Sequence, residues 1–197
     1  MKDKLNNVLA ELAAMVDEGY HKKRDGYVKD GGRSVRTVDT VSGPFRTNDF
    51  VLVGVHRKRT FSVTLYSSGE MTVAVACRSE CRLKISSSTI LTRFNILMGR
   101  RIKTGNDSFD MKYIVRTQSK QDIYGFLQRS DVMEIILYLI PFYLLSTESE
   151  IISVQRELDY HSIRAGTLLE LLERTVDFAN QIEKSFPCEP DQEKEQS

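Results

Sequence analysis

Thr104-Gly105-Asn106-Asp107-Ser108-Phe109-Asp110-Met111-Lys112-Tyr113-Ile114-Val115 opens on turn-forming residues and then alternates apolar with polar side chains. That pattern predicts a turn followed by a strand over 109–115. The continuation is helical in period and closes on the apolar run 135–145. Short β-rich segments lie ahead of this stretch and mostly helical ones behind it. Such a change of period predicts an α+β domain.

Working back from it, residues 50–55, 60–66 and 71–77 are rich in Val, Phe, Thr and Tyr. Arg57-Lys58-Arg59 and Ser67-Ser68-Gly69 separate them, connections too short for crossover helices, so an antiparallel meander is expected, with 81–86 as a fourth strand. Phe61, Val63 and Leu65 share the core face; Thr60, Ser62 and Thr64 share the other, expected to be solvated or lightly covered. Working forward, 142–146 and 151–156 flank the polar turn Thr147-Glu148-Ser149-Glu150 and predict a hairpin. The expected fold is therefore an antiparallel sheet of about five to seven strands with helices packed mainly on one face.

Leu5, Val8, Leu9, Leu12, Met15 and Val16 recur at helical spacing and predict an amphipathic helix over 3–20, ended by Gly19. A short helix is expected within 87–99. Ser119 with Asp122 three residues on reads as a capping box, and Ser130 as the cap of a second helix that runs to Pro141. Leu168, Leu171, Leu172, Thr175, Ala179 and Ile182 line one face of the last helix. The expected organisation is an N-terminal amphipathic helix (1–24), a loop or linker (25–47) with one short edge strand at 35–41, the α+β domain (48–186) and a disordered acidic tail (187–197).

The chain has 197 residues, the size of one domain. Net charge is +1, unevenly distributed: residues 54–116 carry 12 basic and 4 acidic groups, residues 117–197 carry 7 and 15. Such a split marks an anion-binding face or two halves that attract each other. No signal-peptide pattern opens the sequence, and the longest apolar run is too short to cross a membrane. With an odd count of three cysteines and no secretory pattern, a cytoplasmic setting is expected.

The pattern Thr104-Gly105, Phe109-Asp110 and Tyr113-x-Val115, followed by a leucine-bearing helix, resembles an uncharacterised prokaryotic domain family, often membrane-associated, over residues 104–184. No activity is attached to that family, so the resemblance implies a fold and no functional residues. This chain lacks the family's membrane segment. The order helix, three strands, helix, two strands, helix is also similar to that of type III secretion chaperones, which are usually shorter and acidic where this chain's middle is basic.

Candidate chemistry is sparse. Cys77 and Cys81 are spaced C-x3-C, but a zinc site needs four ligands and no His pair has ligand spacing, so no metal is expected. His21, His56 and His161 are isolated and read as surface or satisfied histidines. Asp110 reads as a carboxylate that shapes its turn. No phosphate-binding fingerprint occurs, and no cofactor or catalytic residue is indicated. Arg57, Lys58, Arg59, Arg100, Arg101 and Lys103, with Arg78, Arg82, Lys84, Arg93 and Arg116 around them, are candidate anion-binding residues. Leu5, Leu9, Leu12 and Val16 are candidate partner-binding residues. The expected function is a non-catalytic protein-interaction or adaptor module, a homo-oligomer or bound to a protein partner. The alternatives are binding of nucleic acid or another polyanion through 57–103, and a secretion-chaperone-like role.

Overall fold

The computed structural model describes residues 2–23, 26–29, 34–35, 50–66, 68–88, 100–118, 122–148 and 150–188. The chain begins with α1 (Lys2–Met15), followed by β1 (Glu18–Lys23), β2 (Gly26–Lys29) and β3 (Ser34–Val35). The meander is β4 (Phe50–His56), β5 (Arg59–Leu65) and β6 (Glu70–Ala76), then β7 (Leu83–Ser87) and β8 (Arg100–Ile102). After α2 (Asp107–Lys112) come β9 (Tyr113–Thr117), α3 (Ile123–Gln128) and α4 (Ser130–Leu139). The hairpin β10 (Leu144–Glu148) and β11 (Ile151–Glu157) precedes the long α5 (Ala165–Ser185).

The architecture is the expected α+β, with more strands than anticipated: the described strands form one eleven-stranded sheet, β3-β2-β1-β4-β5-β6-β11-β10-β7-β9-β8. Every pairing is antiparallel. The additional strands lie at the edges and come from segments without strong alternation. Glu18–Lys23, expected as the helix end and a basic flank, pairs with β4 instead. Part of the expected linker, β2 and β3, extends that edge. The N-terminal helix is therefore joined through β1 to the same sheet as the rest. Residues 89–99 of the expected short helix, residues 36–41 of the short edge strand, and the tail from residue 189 lie outside the described residues; Ser87 belongs to β7.

Gly19 does not end a helix; it allows a close approach. A methyl on Gly19 would lie 2.7 Å from the Ala13 Cα, and one on its cross-strand partner Gly54 would overlap the Glu18 carbonyl oxygen. The expected strand at 109–112 is also corrected. The Asn106 side chain accepts the Phe109 N–H and caps α2, so strand geometry begins only at Tyr113. Asp122 itself caps α3 by accepting the Gly125 N–H, and Ser130 is the first residue of α4 with Arg129 at the cap position.

One face of the sheet is covered by α1, α5 and α4. α1 packs on β1 and β4; α5 packs on β6 and β11 and between α1 and α4. A cross-strand row on this face reads Ile102, Val115, Ile85, Leu145, Val154, Val73, Val63, Leu52. Leu5, Leu9, Leu12 and Val16 are buried in the same core. They do not form an exposed partner-binding stripe, because the apolar side of α1 is closed by its own sheet and α5.

The second face differs from expectation too. Ser62 and Thr64 are buried, beside Val51, Val53 and Ala74.

α5 is fastened to the sheet by charge as well as by burial. The β4–β5 turn, with both Arg57 and Lys58 at positive φ, presents Arg57 to Glu173 (2.9 Å) and Asp177 (3.2 Å). Arg59 forms two 2.7 Å bonds to the Glu183 carboxylate and further bonds to Asn180 Oδ1 and the Ala76 carbonyl. Glu183 also accepts the Arg78 N–H at 2.6 Å. The Arg59 guanidinium holds the Glu183 carboxyl below its ordinary pKa.

Two outcomes follow from this packing. A carboxyl with a depressed folded pKa stabilises the fold above the ordinary carboxylate range, and that contribution is lost as pH falls through the lower folded value. Urea unfolding midpoints should therefore fall below about pH 4.3, and Arg59→Met should flatten part of that dependence. Thr147 Oγ1 accepts the Leu83 N–H and donates to the Cys81 carbonyl, both at 2.7 Å and buried. Thr147→Val keeps the shape and strands both groups, and should cost about 1–3 kcal/mol in the same assay.

Candidate functional site

A recess lies on the second face, where β7 and β9 meet the β10–β11 hairpin. It is a cavity of about 700 Å³. Its position follows from strand alternation: Leu83, Ile85, Leu145, Ile152 and Val154 turn to the helices, so Lys84, Ser146 and Ser153 turn away. One wall is cationic, with Arg82, Lys84 and Arg116. The floor is polar and neutral: the Ser146 and Ser153 hydroxyls lie 2.9 Å apart across the hairpin, flanked by Gln155 and Gln118. Leu144 and Ile151 give apolar patches, and Glu148 is the carboxylate on the rim.

Backbone bonds hold the cationic wall. The Arg82 carbonyl accepts the Gln118 N–H and the Thr117 hydroxyl, tying the start of β7 to the end of β9. The register then sets Lys84 directly opposite Arg116, and Arg116 opposite Arg101 on β8. Three basic positions thus face one another across three neighbouring strands.

The described lining residues include no thiol and no imidazole. Cations, hydroxyls and amides suit holding an anionic or polar group. Cys77 and Cys81 are buried elsewhere, and burial pushes the Cys77 thiol up to about 12, away from nucleophilic thiolate character. Among the described residues no group of His, Cys, Asp and Glu is placed to hold a metal, and no helix is long and apolar enough to cross a membrane.

The six candidate anion-binding residues are not brought together. Arg57, Lys58 and Arg59 sit at the β4–β5 turn, and Arg57 and Arg59 are ion-paired with α5. Arg100, Arg101 and Lys103 lie at the β8 edge, six strands beyond β5 and about 29 Å away at 4.8 Å per strand. The contiguous basic region 57–103 is thus divided among three places. Its middle members Arg82 and Lys84, with Arg116, line the cavity. Ser146, Ser153, Gln118 and Gln155 were not singled out by the sequence; for Ser146, Ser153 and Gln155 the available signal was the period-two alternation of the predicted hairpin.

Two single residues stand out. Asp110 accepts the Thr104 N–H and hydroxyl at 3.0 Å and the Gly105 N–H at 3.3 Å, the turn-shaping role expected of it. His56 departs from the expectation of a surface or satisfied histidine. It is 7% exposed, and neither ring nitrogen is hydrogen-bonded. Asp17 Oδ1 lies 3.8 Å from Nδ1 and Glu173 Oε1 lies 3.7 Å from Nε2.

No family model matches the chain, and no curated protein matches it. Among solved structures, the mycobacterial trehalose monomycolate transport factor A, TtfA, is similar in fold at a TM-score of 0.52 and 11% identity, over 94% of this chain and 98% of that one. The likeness spans nearly the whole of both chains and is one of architecture.

Proposed function

We propose that this chain is a non-catalytic accessory protein that acts by binding, and that the cavity on the second face of the sheet is its contact site. The observation that carries the reading is the lining: a cationic wall of Arg82, Lys84 and Arg116 against a floor of hydroxyls and amides. Those groups recognise charge and hydrogen-bonding pattern. A role in transport of the kind named for TtfA is the finer reading, supported by the shared architecture. Self-association through the α1 stripe is not part of it, because Leu5, Leu9, Leu12 and Val16 are core. Nucleic-acid binding through 57–103 has less support, since Arg57 and Arg59 are committed to α5 and no aromatic residue is among the described cavity lining for bases to stack on.

Site-specific photocrosslinking in the cells that make the protein tests this reading. A photoreactive residue at Lys84, on the cavity wall, should give a discrete covalent adduct; one at Glu170, exposed on α5, should not. Adducts from Glu170 alone would place the contact surface on the helices and sink the proposal.

A further inference from the structure

A buried histidine on the helix-covered face carries an inference independent of the second-face cavity. We propose that His56 is a pH-sensitive latch. On taking up a proton, its ring joins Asp17, in the corner between α1 and β1, to Glu173 on α5, and so holds the two ends of the described chain together.

His56 is the last residue of β4, in alternation with Leu52 and Gly54 on the face that the helices cover. Its ring is buried with both nitrogens unbonded, Nδ1 lying 3.8 Å from Asp17 Oδ1 and Nε2 lying 3.7 Å from Glu173 Oε1. A neutral imidazole has one N–H and one lone pair, so in either tautomer one nitrogen turns its lone pair toward a carboxylate. Imidazolium has an N–H for each of the two carboxylates. The separations are roughly 1 Å longer than a charge-assisted bond, so this arrangement is the open latch and small side-chain movements close it. Both carboxylates are already aimed. Asp17 Oδ2 accepts the Arg57 N–H at 2.8 Å, which leaves Oδ1 toward the ring, and the Arg57 guanidinium holds Glu173 at 2.9 Å. The other charged groups on these elements are engaged or turned outward. Arg57 also bonds Asp177, Arg59 pairs with Glu183, and Arg174 lies 3.8 Å from Asp177. Glu18 accepts the Tyr20 hydroxyl, and Lys58 is exposed in the turn. Imidazole ordinarily changes charge between about pH 5 and 8, where carboxylates ordinarily stay ionised. Stability from the closed latch is therefore present at the acidic end of that range and is lost as pH rises through it.

Urea unfolding of the full chain and of its His56→Gln variant, whose side chain is polar but takes up no proton, tests this. Between about pH 7.5 and about pH 5.5 the unfolding constant of the wild type, divided by that of His56→Gln, should fall by about tenfold. The ratio cancels His21 and His161, which both chains share. Asp17→Asn and Glu173→Gln should each remove part of that fall. Nitrogen-15 spectra of the wild-type imidazole rings decide the same point if His56→Gln does not fold. At about pH 5.5 both His56 ring nitrogens should carry protons, and the Asp17 and Glu173 amide signals should move along the same titration. A ratio that stays level or rises on acidification overturns the latch, as does a His56 ring still neutral at about pH 5.5. A fall that persists undiminished in both carboxylate variants overturns it too, because the ring would then charge without joining the two segments.

Discussion

The sheet is continuous because the β10–β11 hairpin lies between β6 and β7. On one side β11 pairs with β6 along its whole length, from Ile151 opposite Ala76 to Glu157 opposite Glu70. On the other, β10 pairs with β7 through Leu144, Leu145 and Ser146. The strands β3-β2-β1-β4-β5-β6 and β7-β9-β8 have no described pairing with each other that bypasses the hairpin. Thr147 extends the shorter of the two seams, its hydroxyl standing in for ladder groups where regular pairing stops. The cavity depends on the same insertion, because one of its walls comes from β7 and β9 and its floor from the hairpin.

Charge is distributed in keeping with this geometry. The basic middle and acidic C-terminal parts of the chain do meet, at Arg57 with Glu173 and Asp177, and at Arg59 with Glu183. The Arg59 pair is two-pronged and partly buried, the arrangement in which an ion pair has geometric specificity. It fixes the azimuth of α5 on β6, which burial of an apolar stripe defines less sharply. Cations further along the chain reach the opposite face, so one basic stretch contributes both to internal fastening and to the lining of the cavity.

Much of this was legible in residue order. Phe61, Val63 and Leu65 announced a strand with one core face; Leu168 to Ile182 announced the last helix; the Thr147–Glu150 turn announced the hairpin. Each is a local periodicity, and local periodicity is what one-dimensional order encodes. Errors arose where a single side chain overrode the period. Asn106 captured the Phe109 N–H and turned an alternating run into a helical turn. Gly19, read as a terminator, proved to be a contact point between β1 and α1. The site was legible only as a list of cations. Which of them share a surface depends on strand order, and nothing in the spacing of Arg59 and Lys84 reveals that a hairpin from residues 144–157 separates their strands.

The position of α5 at the far end of the described chain has a consequence for synthesis. The ribosome completes all eleven described strands before it makes the helix that covers β6 and β11. During that interval Val73, Val75, Ile152 and Val154 lack their cover, and the nascent chain presents an apolar sheet face to the cell. Domains fold as units and exposed apolar faces are what chaperones engage. A pause in translation between β11 and the end of α5 would lengthen that exposure, whereas the same pause before β10 would leave two smaller, unjoined groups of strands.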